Sequence, residues 1–275
     1  MEYNLPQRFE ESNKATYGRV LNIAGSDYMC GAAYLSSVSA LKIGCGYCFL
    51  CSCDRVIDSV AAKTSNVVFM PIRDLKSKIK TFDVIEIGCG LGQDNYGRNL
   101  FNKFLKYSDS KIPVVIDADG LNLISKNPKL FVNKHFEKVV LTPHPKEAAR
   151  LLGVDNILDD VELAAKSISE KYNCITVLKT HRTFVYSPDG RSYTNTTGNN
   201  SMAKAGSGDV LTGIISGLIA QRTDIFEASC LGVYLHGLSG DISKEKLTEY
   251  SVMAEDLISN IPLAVNKYIM SKSKH

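Results

Sequence analysis

The apolar residues of this chain fall into short continuous runs, which alternate with stretches where apolar residues recur every three or four positions. A continuous run bounded by turn residues is typical of a buried strand, and the longer period is typical of an amphipathic helix. The runs predict strands at 19–24, 47–52, 66–70, 82–87, 113–116, 138–141 and 174–178, followed by a hairpin of 183–186 and 192–195.

Helices are predicted between and after these strands, at 32–43, 54–63, 95–107, 146–152, 160–172, from 209 onward, 228–238 and 254–268. Strands that alternate with helices form mostly parallel sheets. We therefore predict an α/β protein of three α/β/α layers, in which helices cover both faces of a central, mostly parallel sheet. The chain shows no internal repeat or linker, which predicts a single domain over residues 1–275.

The segment from Ala205 to Gly208 is small and glycine-rich, and it lies directly before a strongly apolar helix. The first N–H groups of a helix lack partners within it, and the helix dipole favours negative charge there. Glycine also lets a phosphate approach the backbone closely. The segment therefore predicts a site for a phosphoryl group. It is not a Walker A loop, because no Lys-Ser/Thr pair follows the glycines.

Asp209 opens the helix that follows. An acid in the first turn ordinarily stabilises a helix by capping it or by its charge. Beside a bound phosphate, however, a carboxylate is repelled unless the chemistry needs it. In phosphoryl transfer a carboxylate accepts the proton of the attacking hydroxyl. Both interpretations stay open on this segment alone.

Composition narrows the class of protein. Of the 275 residues 44% are hydrophobic, which permits a sizeable core. The net charge of +3, from 32 basic and 29 acidic residues, is too small and diffuse for a nucleic-acid or membrane-binding surface. No apolar run approaches the ~20 residues that span a bilayer, and the N-terminus carries no apolar signal segment. We therefore expect a cytoplasmic protein with free cysteines.

Four cysteines, Cys45, Cys48, Cys51 and Cys53, are spaced like part of an iron–sulfur ligand run. The same segment is a predicted strand, in which cysteine also serves as a small core residue. Residues three apart in a strand point to opposite faces, which is poor geometry for joint ligation. We therefore predict no metal site there.

Segments along nearly the whole chain carry a further signal: LNIAGSDYMCGAAYLSSVSALKIGCG (21–46), IGCGLGQ (87–93), VVIDADGLNLI (114–124), LTPHPKEAARLLG (141–153), VLKTHRT (177–183), AGSGDVLTGIISGLIAQ (205–221), YLHGLSGDIS (234–243) and MAEDLISNIP (253–262). In this order they resemble the ADP/ATP-dependent NAD(P)H-hydrate dehydratase family of the ribokinase-like superfamily. The whole set is specific, whereas GSGD alone also occurs in vitamin and sugar kinases. The resemblance implies a ribokinase-like fold.

The resemblance also implies a reaction, the repair of nicotinamide nucleotides. Members of the family dehydrate the S-epimer of NADH or NADPH hydrate to NAD(P)H, driven by ADP, which gives AMP and phosphate, or by ATP. The hydrate hydroxyl is phosphorylated and phosphate then leaves, because hydroxide is a poor leaving group. The implied cofactors are Mg2+ and the nucleotide co-substrate. We expect ADP rather than ATP. Asp209 matches the base that accepts the hydroxyl proton.

The resemblance assigns further residues to the two ligands. Those implied at the nucleotide are Lys179, His181, Arg182, Thr183, Asn199, Ala205, Gly206, Ser207 and Gly208. Those implied at the hydrate are Ala33, Gly90, Gly92, His144 and Asp209. Several of these also have a plain structural interpretation, such as a solvated lysine, a tight turn, helix packing or a structural histidine.

Other polar residues near these motifs are not assigned as ligands, and no metal ligand is predicted. Asp117 is left open between water-mediated Mg2+ binding and helix capping, and Asp119 is predicted to cap the next helix. His236 is predicted to be a packed core residue. The sequence departs from the family at three places: Thr180, Gly120 and the Asn-Ser pair 200–201. We expect these departures to affect substrate affinity more than the type of reaction.

The family implies partners as well as ligands. Related proteins assemble into homo-oligomers, so we expect one here, for example a tetramer. The first predicted strand begins at residue 19, which leaves no room in front for the epimerase domain of some relatives. We therefore expect the NAD(P)H-hydrate epimerase to be a separate protein.

Two other functions remain as alternatives. A ribokinase-like kinase of a small hydroxylated vitamin precursor would share Asp209 and the glycine-rich segment 205–208, which we call the anion loop. Such a kinase would release a stable phosphate ester. The segments around His144 and Gly88–Gly92 favour the dehydratase over this kinase. A nucleotide-binding module without catalysis is disfavoured, because a mere binder gains nothing from an acid beside phosphates.

Overall fold

The computed structural model describes residues 3–157 and 160–273. Its strands are β1 (Arg19–Ile23), β2 (Tyr47–Ser52), β3 (Val68–Pro71), β4 (Val84–Ile87), β5 (Val114–Ile116), β6 (Val139–Leu141), β7 (Ile175–Leu178), β8 (Phe184–Tyr186) and β9 (Ser192–Thr194). They form one sheet in the order β3-β2-β1-β4-β5-β6-β7-β8-β9. The first seven are parallel, and β8 and β9 add an antiparallel hairpin at one edge.

The α-helices are α1 (Cys30–Lys42), α2 (Asp54–Ala61), α3 (Leu75–Lys78), α4 (Asn95–Tyr107), α5 (Asp119–Lys126), α6 (Pro128–Val132), α7 (Pro145–Leu152), α8 (Val161–Tyr172), α9 (Ser207–Ala220), α10 (Ile225–Lys246) and α11 (Ala254–Lys272). Short 3-10 turns lie at Lys14–Tyr17, Ile72–Asp74, Ile79–Thr81 and Asn200–Met202. None of the helices in the described ranges is long and apolar enough to cross a membrane.

Side chains of the central strands alternate between two apolar layers, as a sheet covered on both faces requires. Val20 and Val84 pack in the layer with α1, α9, α10 and α11, whereas Leu21 joins the layer with α3 to α8. Cys48 and Cys51 lie in opposite layers, as their spacing in a strand predicts. The predicted three-layer fold with a mostly parallel sheet is confirmed.

Helices α1 and α9 approach each other closely because two glycines of α9 face α1. A Cβ at Gly213 would lie 2.1 Å from the carbonyl oxygen of Ser36, and one at Gly217 would lie 2.6 Å from that of Ala40. No side chain larger than hydrogen fits at such distances. The close packing of α1 against α9 therefore depends on glycine at both positions.

Most predicted elements are observed with shifts of one or two residues at their ends, and the helix predicted at 95–107 matches α4 at both ends. The largest error is α10, predicted as 228–238, because its glycine, serine and acidic residues hide the continuing helix. Three helices, α3, α5 and α6, were given no predicted bounds. The four or five residues of α3 and α6 carry no clear period, and α5 was expected only as the helix after Asp119. The domain extent, predicted as 1–275, stays a prediction, and residues 1–2, 158–159 and 274–275 lie outside the described part.

Candidate functional site

The anion loop lies where the sequence predicts it, directly before α9. Gly206 has a φ of +91° and forms the N-terminal cap position of the helix, in the left-handed region that glycine readily adopts. Within the described residues no side chain caps this helix. The N–H of Ser207 donates to the carbonyl of Lys204 at 3.3 Å, whereas those of Gly208 and Asp209 have no backbone partner among the described residues. These two N–H groups therefore remain available to an anion, with the helix dipole behind them.

A cavity of about 800 Å³ opens beside this loop, in the size range of small-molecule sites. It lies at the carboxyl ends of β6 and β7, where ligands of such sheets bind. Eight of the residues that the resemblance implies line it: His144, Lys179, His181, Thr183, Asn199, Ala205, Ser207 and Gly208. Seven of them were assigned to the nucleotide, so the fold brings together a nucleotide-sized site from four separate chain segments.

Two implied nucleotide residues lie outside the lining of this cavity. Arg182 lines a smaller neighbouring cavity of about 440 Å³, which it shares with His181 and Asn195. Gly206 supports the loop from behind, where an added Cβ would lie 2.5 Å from Cδ1 of Leu35. The backbone of Gly206 shapes the loop, so its contribution is conformational.

Asp209 lies in the first turn of α9, next to Ser207 and Gly208 of the cavity lining. Burial raises the pKa of this carboxyl to about 6, and the charge of Asp117 raises it further, while Cys89 and Lys179 oppose the rise. A pKa just below neutrality suits a general base, because the group is ionised at rest and still basic enough to accept a proton.

Lys179 and Asp117 form a buried ion pair below the loop. Nζ of Lys179 donates to Oδ1 of Asp117 at 2.6 Å, and Thr212 donates to Oδ2 at 2.7 Å. Burial opposes ionisation of Asp117, but Lys179 and the hydrogen bonds outweigh it and hold the pKa below its usual value. Burial also lowers the pKa of Lys179, and the charges of Asp117 and Glu147 more than offset this. Lys179 is therefore a paired lysine in the wall of the cavity.

The prediction that Asp119 caps the next helix is wrong. Asp119 is the first residue of α5, and its carboxylate accepts from the backbone N–H of Gly92 at 2.8 Å and from Nε2 of Gln93 at 3.0 Å. Asp117, left open between capping and Mg2+, instead pairs with Lys179. Asp119 thus ties the 88–92 loop to the start of α5.

Three residues implied at the hydrate, Ala33, Gly90 and Gly92, lie outside the lining of the 800 Å³ cavity. Gly90 and Gly92 belong to the 88–92 loop, whose Cys89 lies beside Asp209. Gly90 and Gly92 have φ values of +62° and +81°, and Gly90 packs against Met29 before α1. The N–H of Gly92 is taken by Asp119. The side chain of Ala33 is fully buried, so any contact with a ligand would involve its backbone. Their assignment to the hydrate stays a prediction.

His144 begins α7 as its cap residue. Its Nδ1 accepts from the N–H groups of Lys146 and Glu147, while Glu147 accepts from the backbone of His144. Burial lowers the pKa of His144, and the positive charge of Lys179 lowers it further. With Nδ1 as acceptor, the neutral ring carries its proton on Nε2, which lies 3.4 Å from Oε1 of Glu147. His144 therefore has a structural role as a helix cap, and it also lines the cavity.

Sequence reasoning missed the position of His236. It is buried in α10, as a core residue would be, but it also lines the cavity, and Nε2 lies 3.3 Å from Oγ of Ser207. Burial lowers the pKa of His236 to about 4, so it is neutral at physiological pH. Spacing within a long helix gives no sign that one histidine meets a distant loop.

The doubly covered parallel sheet, with a nucleotide-sized cavity at its carboxyl edge and an uncapped glycine loop, defines a ribokinase-like protein. A ribokinase-like superfamily protein from Enterococcus faecalis shares this fold with a TM-score of 0.86 and 29% identity, covering 96% of this chain and 92% of its own.

The chain belongs to the NAD(P)H-hydrate dehydratase family, whose model matches residues 20–263. It is 36% identical to the ADP-dependent (S)-NAD(P)H-hydrate dehydratase of Neisseria meningitidis, over 86% of this chain and 81% of the relative. The Bacillus subtilis ADP/ATP-dependent NAD(P)H-hydrate dehydratase, co-crystallized with ATP/Mg2+, has a TM-score of 0.85 at 31% identity, covering 96% of this chain and 94% of its own.

Other relatives are longer. The bifunctional NAD(P)H-hydrate repair enzyme Nnr of Moorella thermoacetica is 38% identical over 94% of this chain. The chain spans 51% of that relative, about half of its length.

Proposed function

We propose that this chain repairs hydrated nicotinamide nucleotides by dehydrating (S)-NADH or (S)-NADPH hydrate at the expense of ADP or ATP. The observation that carries the proposal is the position of Asp209. It follows Ser207 and Gly208 of the nucleotide-sized cavity and contacts Cys89 of the loop implied at the hydrate. A base between two ligand sites is what transfer of a phosphoryl group from one to the other requires.

The reaction has two stages. The hydrate hydroxyl attacks the terminal phosphorus while Asp209 takes its proton, and the bond to the departing nucleotide breaks, leaving AMP from ADP or ADP from ATP. The N–H groups at the start of α9 stabilise the charge on the transferred group. The ring nitrogen then expels phosphate from the carbon, and loss of a proton from the neighbouring carbon restores the double bond.

Mg2+ is proposed to accompany the nucleotide phosphates, its usual partners in phosphoryl transfer. Both oxygens of Asp117 already accept hydrogen bonds, from Lys179 and Ala118 on one side and Thr212 on the other. Residues 3–157 and 160–273 contain no group of three His, Cys, Asp or Glu that could hold a metal. These residues fit an ion that is held mainly by phosphate and water. Such an ion would neutralise the negative charge of the phosphates.

The test is incubation of the purified chain with hydrated NADH or NADPH, Mg2+ and either nucleotide. Return of the near-ultraviolet absorbance of reduced nicotinamide, with one AMP or ADP formed per NAD(P)H, is the expected result. No recovery with either nucleotide would refute the proposal. The two nucleotides and the two hydrates compared side by side would show which are preferred.

A panel of hydroxylated vitamin precursors with labelled ATP tests the kinase alternative. The hydroxyethylthiazole kinase of Pyrococcus horikoshii shares the fold with a TM-score of 0.67 at 14% identity, which supports a common architecture alone. A homo-oligomer, a separate epimerase and a cytoplasmic location stay predictions.

A further inference from the structure

A buried polar cluster lies between the sheet and helices α1 and α9, behind Asp209. Its members are Asn22, Ser36, Glu86, Cys89 and Ser216, and each is fully buried. Asn22 on β1 and Glu86 on β4 are register partners, so their side chains share one face of the sheet. A glutamate in such a position needs a chemical explanation, because unpaired buried carboxylates are costly.

The hydrogen bonds of this cluster are incomplete in a specific way. Within the described residues Oδ1 of Asn22, Oε2 of Glu86 and Oγ of Ser216 have no hydrogen-bond partner. The amide group of Asn22 is spent on Ser36 and Ser37, at 2.7 and 2.9 Å. Oδ1 of Asn22 and ionised Oε2 of Glu86 can only accept, and the hydroxyl of Ser216 has one hydrogen to offer the two. A proton on Glu86 supplies the donor that is still lacking.

Charge around Glu86 favours the same protonated form. Burial raises its pKa to about 8, Ser216 and Ser36 lower it in part, and Asp209 and Asp117 raise it. The thiols of Cys45, just before β2, and of Cys48 on β2 lie near enough for the charge of Glu86 to raise their pKa values. The groups from β1 and α1, Asn22 and Ser36, are uncharged, and Lys179 is bound to Asp117.

Cys89 connects this acid to Asp209. Its Sγ donates to Oε1 of Glu86 at 3.9 Å. The same thiol lies close enough to Asp209 to lower the pKa of that carboxyl. Burial raises the pKa of Cys89 well above its usual value, so it stays a thiol. A thiol has one hydrogen, which can serve only one of the two carboxyls at a time.

We propose that Glu86 and Cys89 are positioning residues for Asp209, and that the protonation state of Glu86 decides which carboxyl receives the thiol hydrogen. While Glu86 is neutral, its hydroxyl satisfies a neighbouring acceptor and the thiol donates to Asp209, which holds that carboxylate in place. When Glu86 ionises, it takes the thiol hydrogen, and Asp209 loses its donor and gains a negative neighbour. The role assigned to Asp209 rests on the proposed function.

The pH profile of turnover tests this coupling in three variants. In the wild type we expect kcat to fall about tenfold between pH 7 and pH 9, as a group with a pKa near 8 ionises. Glu86→Gln keeps the shape and a donor but cannot ionise, so its profile should stay flat over this range. Cys89→Ala should also lose the alkaline fall, and its acid limb should move to higher pH. Cys174→Ala, a buried cysteine in the other apolar layer, is the matched control and should keep the wild-type profile.

The S–H stretching band provides a readout that needs no turnover. The band of Cys89 is isolated by subtracting the infrared spectrum of Cys89→Ala, or of Cys89→Ser if the alanine variant does not fold. We expect it to shift between pH 7 and pH 9 in the wild type and to stay in place in Glu86→Gln. A band that does not move, or an alkaline fall that persists in Glu86→Gln, would overturn the inference. A moving band in a protein without dehydratase activity would instead reject only the proposed function.

Discussion

Replacing Asp209 with asparagine removes the proposed proton acceptor while preserving the size of the side chain. With a pKa of about 6, about nine-tenths of the wild-type carboxyl is ionised at pH 7, so the base operates near its full capacity. General-base catalysis contributes roughly 10²–10⁴-fold, or about 3–5 kcal/mol of the barrier. We expect kcat of Asp209→Asn to fall at least about 100-fold, while ADP binds as tightly or more tightly, because a negative charge beside the phosphates is gone.

The same substitution should stabilise the fold at neutral pH. The folded-state pKa of Asp209 lies above its ordinary value of 3.8, so between these values the folded protein binds more protons than the unfolded chain. Stability contributed by this group therefore falls as pH rises from about 4 to 6. Removing the buried charge should recover on the order of 3 kcal/mol, an upper value for a partly exposed group.

The assay combines stopped-flow recovery of reduced nicotinamide, calorimetric titration with ADP and urea unfolding at pH 4 and pH 7.5. Asp58→Asn, the same chemical change at an exposed position of α2, is the control and should leave all three measurements unchanged. Wild-type kcat in Asp209→Asn would refute the base assignment. Lost activity together with lost ADP binding would indicate a damaged pocket instead.

Three further substitutions test other parts of the site and core. Lys179→Met should destabilise the fold by about 3–5 kcal/mol in urea unfolding, because Asp117 is left buried without its partner; an unchanged midpoint would contradict the ion pair. Gly208→Ala adds a Cβ 3.3 Å from Nζ of Lys179, in the wall of the cavity, and should raise the calorimetric Kd for ADP about tenfold or more with little change in Tm. Gly213→Ala puts a Cβ 2.1 Å from the carbonyl oxygen of Ser36 and should lower the free energy of unfolding by about 1–3 kcal/mol or more. The expected result is a lower Tm, while the folded fraction keeps its affinity for ADP.

The anion loop and its helix could be predicted locally because their signals are local. Small residues before an apolar period identify a helix start, and Gly206 adopts the left-handed φ that few other residues tolerate. Asp119 shows the limit of such reasoning. An acid at a helix start has a good local partner, yet here it bonds to Gly92, which is 27 residues away.

Asp117 and Lys179 show the same limit of local sequence reasoning for an ion pair. Each follows a strand, and the chain separates them by 62 residues, so neither the sequence nor the spacing indicates that they form a pair. Parallel packing of β5, β6 and β7 brings both strand ends to one edge of the sheet. His236 reaches Ser207 in the same way, through the packing of α10 beside α9.

The sequence by itself determined most of the elements, the doubly covered parallel sheet and the glycine loop before α9, because periodicity and glycine conformations act over a few residues. Only the tertiary structure decided which carboxyls are ionised and what they touch. Burial and neighbouring charge raise the pKa of Asp209 to about 6 and that of Glu86 to about 8, whereas Lys179 keeps Asp117 charged. These energies depend on distances between residues far apart in the chain, and those distances exist only after folding.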